Sequence, residues 1–210
     1  MILAHASDLH GALGALWAFE GEVDAWAFTG DIFPEEGLDD PVAHATAQRA
    51  WLRGEGPALR RRLGGAPVVV VNGNHDDACL ARGLRELGLD VRAVTPEGFA
   101  LGGLRFAGFP HIPASHGAWA NEADEAAMEA LVARVFEGGG PDVLLTHAPP
   151  AGVLDGGWGI GALTARLARG DHRVRYHLFG HAHEHGGQEL HRNGVTYWNG
   201  AQRVRARRVD

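Results

Sequence analysis

Thirteen histidines in 210 residues, set among 26 acidic side chains, are where this sequence offers most chemistry. Several fall in short polar blocks: Ser7-Asp8-Leu9-His10, Gly30-Asp31, Gly73-Asn74-His75-Asp76, Thr146-His147 and Gly180-His181-Ala182-His183. Carboxylate, imidazole and amide oxygen together suit a borderline-hard divalent cation such as Mn²⁺, Fe²⁺, Co²⁺ or Zn²⁺. Asp8, His10, Asp31, Asn74, His147, His181 and His183 are too many donors for one tetrahedral site. They suit two octahedral-type sites that share a bridging carboxylate and leave room for water. Two metals ~3.5–4 Å apart form the recurring clamp for in-line displacement at phosphorus. Two divalent cations, Asp8, Asp31 and a bridging hydroxide leave a charge of roughly +1 to meet a phosphate anion. Chemistry of this kind is hydrolysis of a phosphoester.

Each block must be positioned by the element before it. Short apolar runs predict strands at residues 2–6, 23–28, 68–71, 143–145 and 174–179, and every one runs directly into a polar block. The four consecutive valines at 68–71 read as a strand buried on both faces. Helical patterns cover 11–20, with Leu13, Leu16 and Trp17 on one face, then 77–87, 121–136 and a stretch around 163–167. A further helical stretch over 41–63 starts well at Pro41 and is expected to break in two at Gly54-Glu55-Gly56-Pro57. Residues 91–94, 99–101 and 104–109 are short strands, with Gly102-Gly103 as a hairpin signal, and the tail from Gln188 reads as hairpin strands. Helices alternating with strands first and hairpins late suggest a mixed sheet sandwich flanked by helices, one domain over residues 1–210. Carboxyl ends of parallel strands gather at one edge of an open sheet, so the polar blocks are expected to converge.

The ordered blocks DLH, GD, GNHD, a lone H and GHAH resemble the calcineurin-like metallophosphoesterase superfamily, from Asp8 to His183. The stretch holding THAPPAGVLDGG and LFGHAHEHGG further resembles the small metal-dependent phosphodiesterases within it. The resemblance implies a four-layer α/β/β/α sandwich of two mixed β-sheets flanked by helices. It implies two divalent metal ions, the first held by Asp8, His10 and His183, the second by Asn74, His147 and His181, with Asp31 bridging. A hydroxide between the metals would attack phosphorus, and His75, beside the metals but unbound, would stabilise the transition state or protonate the leaving oxygen. Many members place a second acid three residues after GD to orient that histidine. Here GDIFP puts Pro34 there, so Glu35, Glu36 or Asp76 takes over the task or His75 is less tightly held. A phosphodiesterase is the first reading; a phosphomonoesterase of the same chemistry and a non-catalytic metal-binding scaffold are the alternatives.

The remaining composition narrows the class. A formal charge of -7 argues against coating nucleic acid by bulk electrostatics and, weakly, against a nuclease. All 19 basic residues are arginine, which excludes Schiff-base lysine and Walker-type phosphate-loop chemistry. No apolar run approaches the ~20 residues of a membrane span, and the first segment lacks a basic region typical of a secretory signal. The one cysteine, Cys79, fits a reducing compartment and is expected as buried packing in a helix; the expected location is cytoplasmic. His5, His44, His172, His177 and His191 read as structural or surface residues, and His185 as a candidate for the cleft rim. Asp39-Asp40 reads as a helix start, Arg60-Arg61-Arg62 as a solvated helix face, and the arginines at 203, 205 and 207 as edge-strand charge. The resemblance implies that the Pro/Gly-rich loop with His111, His116 and Trp119, and the loop from Gly152 to Gly161, form the cleft walls. Trp158 in the second either stacks on a base or sugar of a small, nucleotide-like phosphoester or packs the loop down.

Overall fold

The computed structural model describes residues 1–36, 39–115, 117 and 119–210. The first half holds β1 (Ile2–Ala6), α1 (Gly14–Ala18), β2 (Ala25–Thr29), α2 (Pro41–Leu63), β3 (Val68–Val71), α3 (Leu80–Glu86) and β4 (Val91–Ala93). Next come β5 (Phe99–Leu101), β6 (Leu104–Phe109), β7 (Ile112–Pro113), β8 (Glu122–Ala123), α4 (Glu125–Val135) and β9 (Val143–Thr146). The chain ends with α5 (Gly161–Ala168), β10 (Tyr176–Phe179), β11 (Glu189–Arg192), β12 (Val195–Asn199) and β13 (Val204–Arg208).

Two large mixed sheets flanked by helices result. One has the order β13-β1-β2-β3-β4, parallel except for β13 at its edge; the other is β11-β12-β10-β9-β6-β5, with parallel strands inside antiparallel edges. Three apolar cores bind four layers. Residues of α1, α2 and α3 pack on the outer face of the first sheet, and residues of α4 and α5 on the outer face of the second. Leu3, Ala27, Val69 and Val71 meet Phe106, Leu145, Leu178 and Trp198 between the sheets. Branching at Cβ stiffens valine toward extended backbone. The β3 valines divide accordingly, with Val68 and Val70 toward the helices and Val69 and Val71 toward the other sheet. Full burial of each such side chain stabilises the fold by about 1.5–3 kcal/mol. No helix among the described residues is long and apolar enough to cross a membrane.

Five local expectations are corrected. Helix α2 is continuous through Pro57, and Gly56 serves a contact rather than a break. A Cβ at Gly56 would stand 2.4 Å from Leu87 Cδ2, so glycine there lets α2 approach the end of α3. The first helix is only five residues, Gly14–Ala18, and leaves Trp17 exposed while Leu13 and Leu16 are buried. Cys79 is exposed at the N-terminal boundary of α3 rather than packed inside it. Helix α3 starts late because Asn72 holds the preceding turn: its amide donates to the carbonyls of Asp76 and Ala78 and its oxygen accepts the Leu80 N–H. Arg62 is not simply solvated, since it donates to the carbonyls of Leu16 and Phe19 and lies 5.1 Å over the Trp26 ring.

Elsewhere the reading and the structure agree. Asp40 caps α2, accepting from the Val42 and Ala43 N–H groups. Gly102-Gly103 links the β5–β6 hairpin, and Arg203, Arg205 and Arg207 are exposed on and beside the edge strand β13. One further boundary differs: helix α4 begins at Glu125 rather than 121, capped by Asp124, because Asn121 is occupied in donating to the Gly73 carbonyl.

Candidate active site

Strand ends from both sheets meet in one cleft. Asp8 after β1, Asp31 after β2 and His181 after β10 all adopt left-handed backbone, with φ of 52°, 53° and 67°, as does His10 at 45°. Such conformations are costly for residues with a side chain and cluster where function demands them. Here backbone bonds enforce them: Asp8 N–H donates to Gly30 O, His10 N–H to Asp31 O and Gly11 N–H to Ile32 O, at 2.9, 2.9 and 3.0 Å. Two motif glycines are explained by close approach. A Cβ at Gly73 would lie 2.1 Å from Asp31 Oδ1, and one at Gly180 2.0 Å from Asp8 Oδ2 and from Ser7 Oγ.

Six of the seven expected metal donors have ligating atoms that converge. Asp8, His10 and His183 form one group: His183 Nε2 lies 3.1 Å from Asp8 Oδ1 and 3.3 Å from His10 Nε2. Asp8, Asp31 and His147 form a second, joined by the Asn74 side-chain oxygen 2.9 Å from His147 Nε2. Asp8 is common to both groups, whereas the resemblance gives the bridge to Asp31. His181 joins neither group, but its ring stands 5.0 Å from that of His147, and its N–H donates to Asp8 Oδ2.

The donor chemistry fits a cation. His147 Nδ1 donates to the Thr29 carbonyl at 2.7 Å, which leaves Nε2 facing Asn74 Oδ1 and, at 3.2 Å, Asp31 Oδ2. Two oxygen acceptors aimed at one imidazole nitrogen require positive charge between them, a proton or a metal ion. Burial alone would push His147 down, yet Asp31 beside it and Asp8 beyond push it up to about 10. Asp31 is buried too, which would raise it, but His147 holds it well below the usual carboxylate range. Asp8 likewise stays low because the His183 hydrogen bond and His147 outweigh its burial. The carboxylates therefore keep their charge and demand a counter-ion, and metal binding at such a site displaces a proton.

His75 sits beside these donors. Its N–H donates to Asp31 Oδ1 at 2.8 Å, its carbonyl accepts from the Gln48 amide at 2.5 Å, and Trp119 lies 4.5 Å away, ring to ring. Burial pushes its imidazole below the ordinary value, while Asp31 and Glu35 pull it back. Of the three acids considered for its orientation, Glu35 is placed for it. Glu35 Oε1 lies 3.6 Å from His75 Nδ1 and 2.8 Å from His10 Nδ1. Asp76 instead accepts the N–H groups of Asp31 and Gly73, and burial followed by the Asp31 charge raises it to about 7. Glu36 is exposed.

Residues read as structural prove to support the site from behind. His177 Nε2 donates to Thr146 Oγ1, whose own hydroxyl donates to Ala148 O, at 2.8 and 2.6 Å. His5 Nε2 pairs with Thr29 Oγ1 at 2.8 Å. Each buried histidine thus fixes the threonine next to a donor-bearing turn, and burial drives both to about 3, so they stay neutral. His44 Nδ1 lies 2.7 Å from Asp77 Oδ2, and Gln48, one turn later, also accepts the Ala78 N–H. The sequence reading missed Gln48, Thr29 and Thr146. The four-residue spacing of His44 and Gln48 on one helix face was the available signal for the first.

The cleft has a volume of about 550 Å³, and residues 112–115, Trp119 and 157–159 contribute to its walls. Trp158 belongs to it and is 57% exposed. His111 does not line the cleft; it is half-buried with its ring 6.4 Å from that of Phe109. His116 lies outside the described residues.

No curated protein sequence matches the chain. One solved crystal structure superposes with a TM-score of 0.67 over 98% of both chains, at 15% identity. The protein TT1561 of Thermus thermophilus gives a TM-score of 0.64 at 16% identity, over 95% of this chain and 88% of that one. The sulfate thiohydrolase SoxB from the same species gives 0.50 at 12% identity, over 98% of this chain and 56% of that one. At these identities the likeness is one of fold. The family model described as calcineurin-like phosphoesterase matches residues 1–185, and the chain belongs to that family, whose chemistry is metal-dependent phosphoester hydrolysis.

Proposed function

We propose that the protein hydrolyses a phosphodiester in this cleft. The carrying observation is the pair of donor groups that share Asp8, each with its carboxylate oxygens and imidazole nitrogens within 4.8 Å of one another. Asp8, His10 and His183 would hold one divalent cation and Asn74, His147 and His181 the other, with Asp31 between them. Cations bound there supply Lewis-acid polarisation of the phosphoryl oxygens and lower the pKa of the water that serves as nucleophile.

The chain's own residues do the rest. His147 is held by the Thr29 carbonyl with Nε2 turned to the site. His75 is fixed by its backbone and by Trp119, and gives a proton to the leaving alkoxide oxygen; Glu35 faces its Nδ1 in place of the acid that Pro34 displaces. Charge supports a diester over a monoester. No arginine stands among the described residues lining the cleft and the chain has no lysine, so a dianion meets no side-chain cation beyond histidine.

The test separates holding metal from moving a proton. His147→Ala is expected to lower bound metal and turnover of bis-p-nitrophenyl phosphate together. His75→Ala is expected to keep its metal and to lose rate by ~100-fold or more on a diester with a poor, alkyl leaving group, the scale of general acid catalysis, and much less on bis-p-nitrophenyl phosphate. A His75→Ala enzyme with wild-type rates on every ester tried removes the assigned role.

A further inference from the structure

We propose that Trp158 is a stacking platform that selects diesters whose retained group, the one left on phosphorus, carries a planar aromatic ring such as a nucleobase. This rests on the phosphodiesterase reading and adds the substrate class.

The two cleft indoles are not equivalent. Trp119 already has a partner, lying against the His75 ring at 4.5 Å, on the side where the leaving group departs. Trp158 is edge-on to His181, 6.5 Å between centroids at an interplanar angle of 82°, and 57% of it is open to solvent. Its open face is therefore presented to whatever fills the cleft beside the second donor group.

The loop that carries it is built to hold still. Its base is closed by Ala151 N–H to Ile160 O and Ile160 N–H to Pro149 O, at 3.2 and 2.8 Å, with Val153 and Ile160 buried beneath. The Trp158 N–H closes a turn onto Asp155 O at 2.8 Å. On the other flank Gly156 meets Glu184, in the short helical turn that begins at His183. An exposed indole on a pinned loop loses little conformational entropy on stacking, and base stacking on aromatics tolerates any base because every base has a π-face.

In-line attack with the leaving oxygen toward His75 puts the retained ester oxygen among the equatorial positions. Its substituent then runs along the cleft instead of out past Trp119, and Trp158 is the aromatic surface it meets. With no arginine lining the cleft among the described residues, and no lysine in the chain, a pyrophosphate chain has no side-chain cation beyond histidine to receive its extra charge. The substrate class is a single-phosphate diester of a nucleoside.

The experiment compares the p-nitrophenyl ester of thymidine 5′-phosphate with methyl p-nitrophenyl phosphate, which share a leaving group and differ only in the retained one. The wild-type enzyme is expected to prefer the thymidine ester in kcat/KM by ~10-fold or more, within the range of stacking on one aromatic. Trp158→Ala should bring that preference close to unity through KM, and Trp158→Phe should restore most of it. Thymidine 5′-phosphate alone should quench indole fluorescence in the wild type and do so much less in Trp158→Ala. An unchanged preference and unchanged quenching in Trp158→Ala overturn the proposal. Turnover of neither ester by the metal-loaded wild type, with quenching intact, overturns the phosphodiesterase reading and leaves a nucleotide-binding indole.

Discussion

Alanine at Gly180 tests how tightly the turns between strands and donors are packed. Its Cβ would fall 2.0 Å from both Asp8 Oδ2 and Ser7 Oγ and 2.6 Å from Ser7 Cβ. Ordinary van der Waals separation requires an opening of roughly 1.5 Å. Neither neighbour is the free end of a flexible side chain: both residues are fully buried, and Asp8 Oδ2 accepts the His181 N–H at 2.9 Å. Overpacking of this kind costs about 1–3 kcal/mol. At ~2–4 °C per kcal/mol for a chain of this size, the Tm should fall by ~2–12 °C. The functional effect should be larger. Asp8 belongs to both donor groups, so its displacement disturbs both, and a misplacement of ~1 Å at a reacting centre costs on the order of 100-fold in rate. The assay is manganese per chain by elemental analysis after dialysis, beside kcat/KM for bis-p-nitrophenyl phosphate. Gly54→Ala is the control, since a Cβ there meets nothing within 4 Å. Two manganese ions and full activity in Gly180→Ala would refute the close-approach account.

Glu35→Gln should slow esters with poor leaving groups more than those with good ones. A phenyl or alkyl leaving group should lose ~10-fold and p-nitrophenyl much less, because only the former needs a well-placed proton. An equal loss on both would show that Glu35 serves only to hold His10. Acid should weaken the metal-stripped fold through its buried histidines. His177 stays neutral to about pH 3 when folded but protonates near 6.5 when unfolded, so the unfolded state binds the extra proton between those values. Stability is therefore present above pH 6.5 and lost as pH falls, by ~1 kcal/mol per pH unit for this group. Asp76, raised to about 7, acts in the opposite direction over part of that window, so the informative quantity is a difference between proteins. His177→Gln keeps a donor for Thr146 and should flatten urea-derived stability between pH 6.5 and 5 by that amount per unit. An identical slope in the two proteins would contradict the buried-neutral assignment.

The convergence of these side chains was legible because it is written locally. Asp8, Asp31, Asn74 and His181 each follow a strand closely, and three of them sit beside a glycine in the sequence. The two sheets were legible from the valine strand and the hairpin glycines. What was hidden depends on contacts between distant segments. Gly56 resembles a helix breaker, and only the approach of Leu87 shows it to be a packing glycine. Three acids were equal in sequence as partners for His75; Asp76 was removed from the choice by the N–H groups of Asp31 and Gly73, which no local pattern reveals. His5 and His177 were correctly read as structural, but their work on Thr29 and Thr146 follows from strand pairing and not from spacing.

The central claim is that these donors hold two divalent cations and that hydrolysis of a diester depends on them. The most direct measurement titrates Mn²⁺ into metal-stripped protein, following bound metal and turnover of bis-p-nitrophenyl phosphate and p-nitrophenyl phosphate in the same samples. Turnover absent from the stripped protein, rising to a plateau at two manganese ions per chain and faster on the diester, is the predicted result. Diester turnover by the stripped protein, or two bound ions with neither ester hydrolysed, would contradict it.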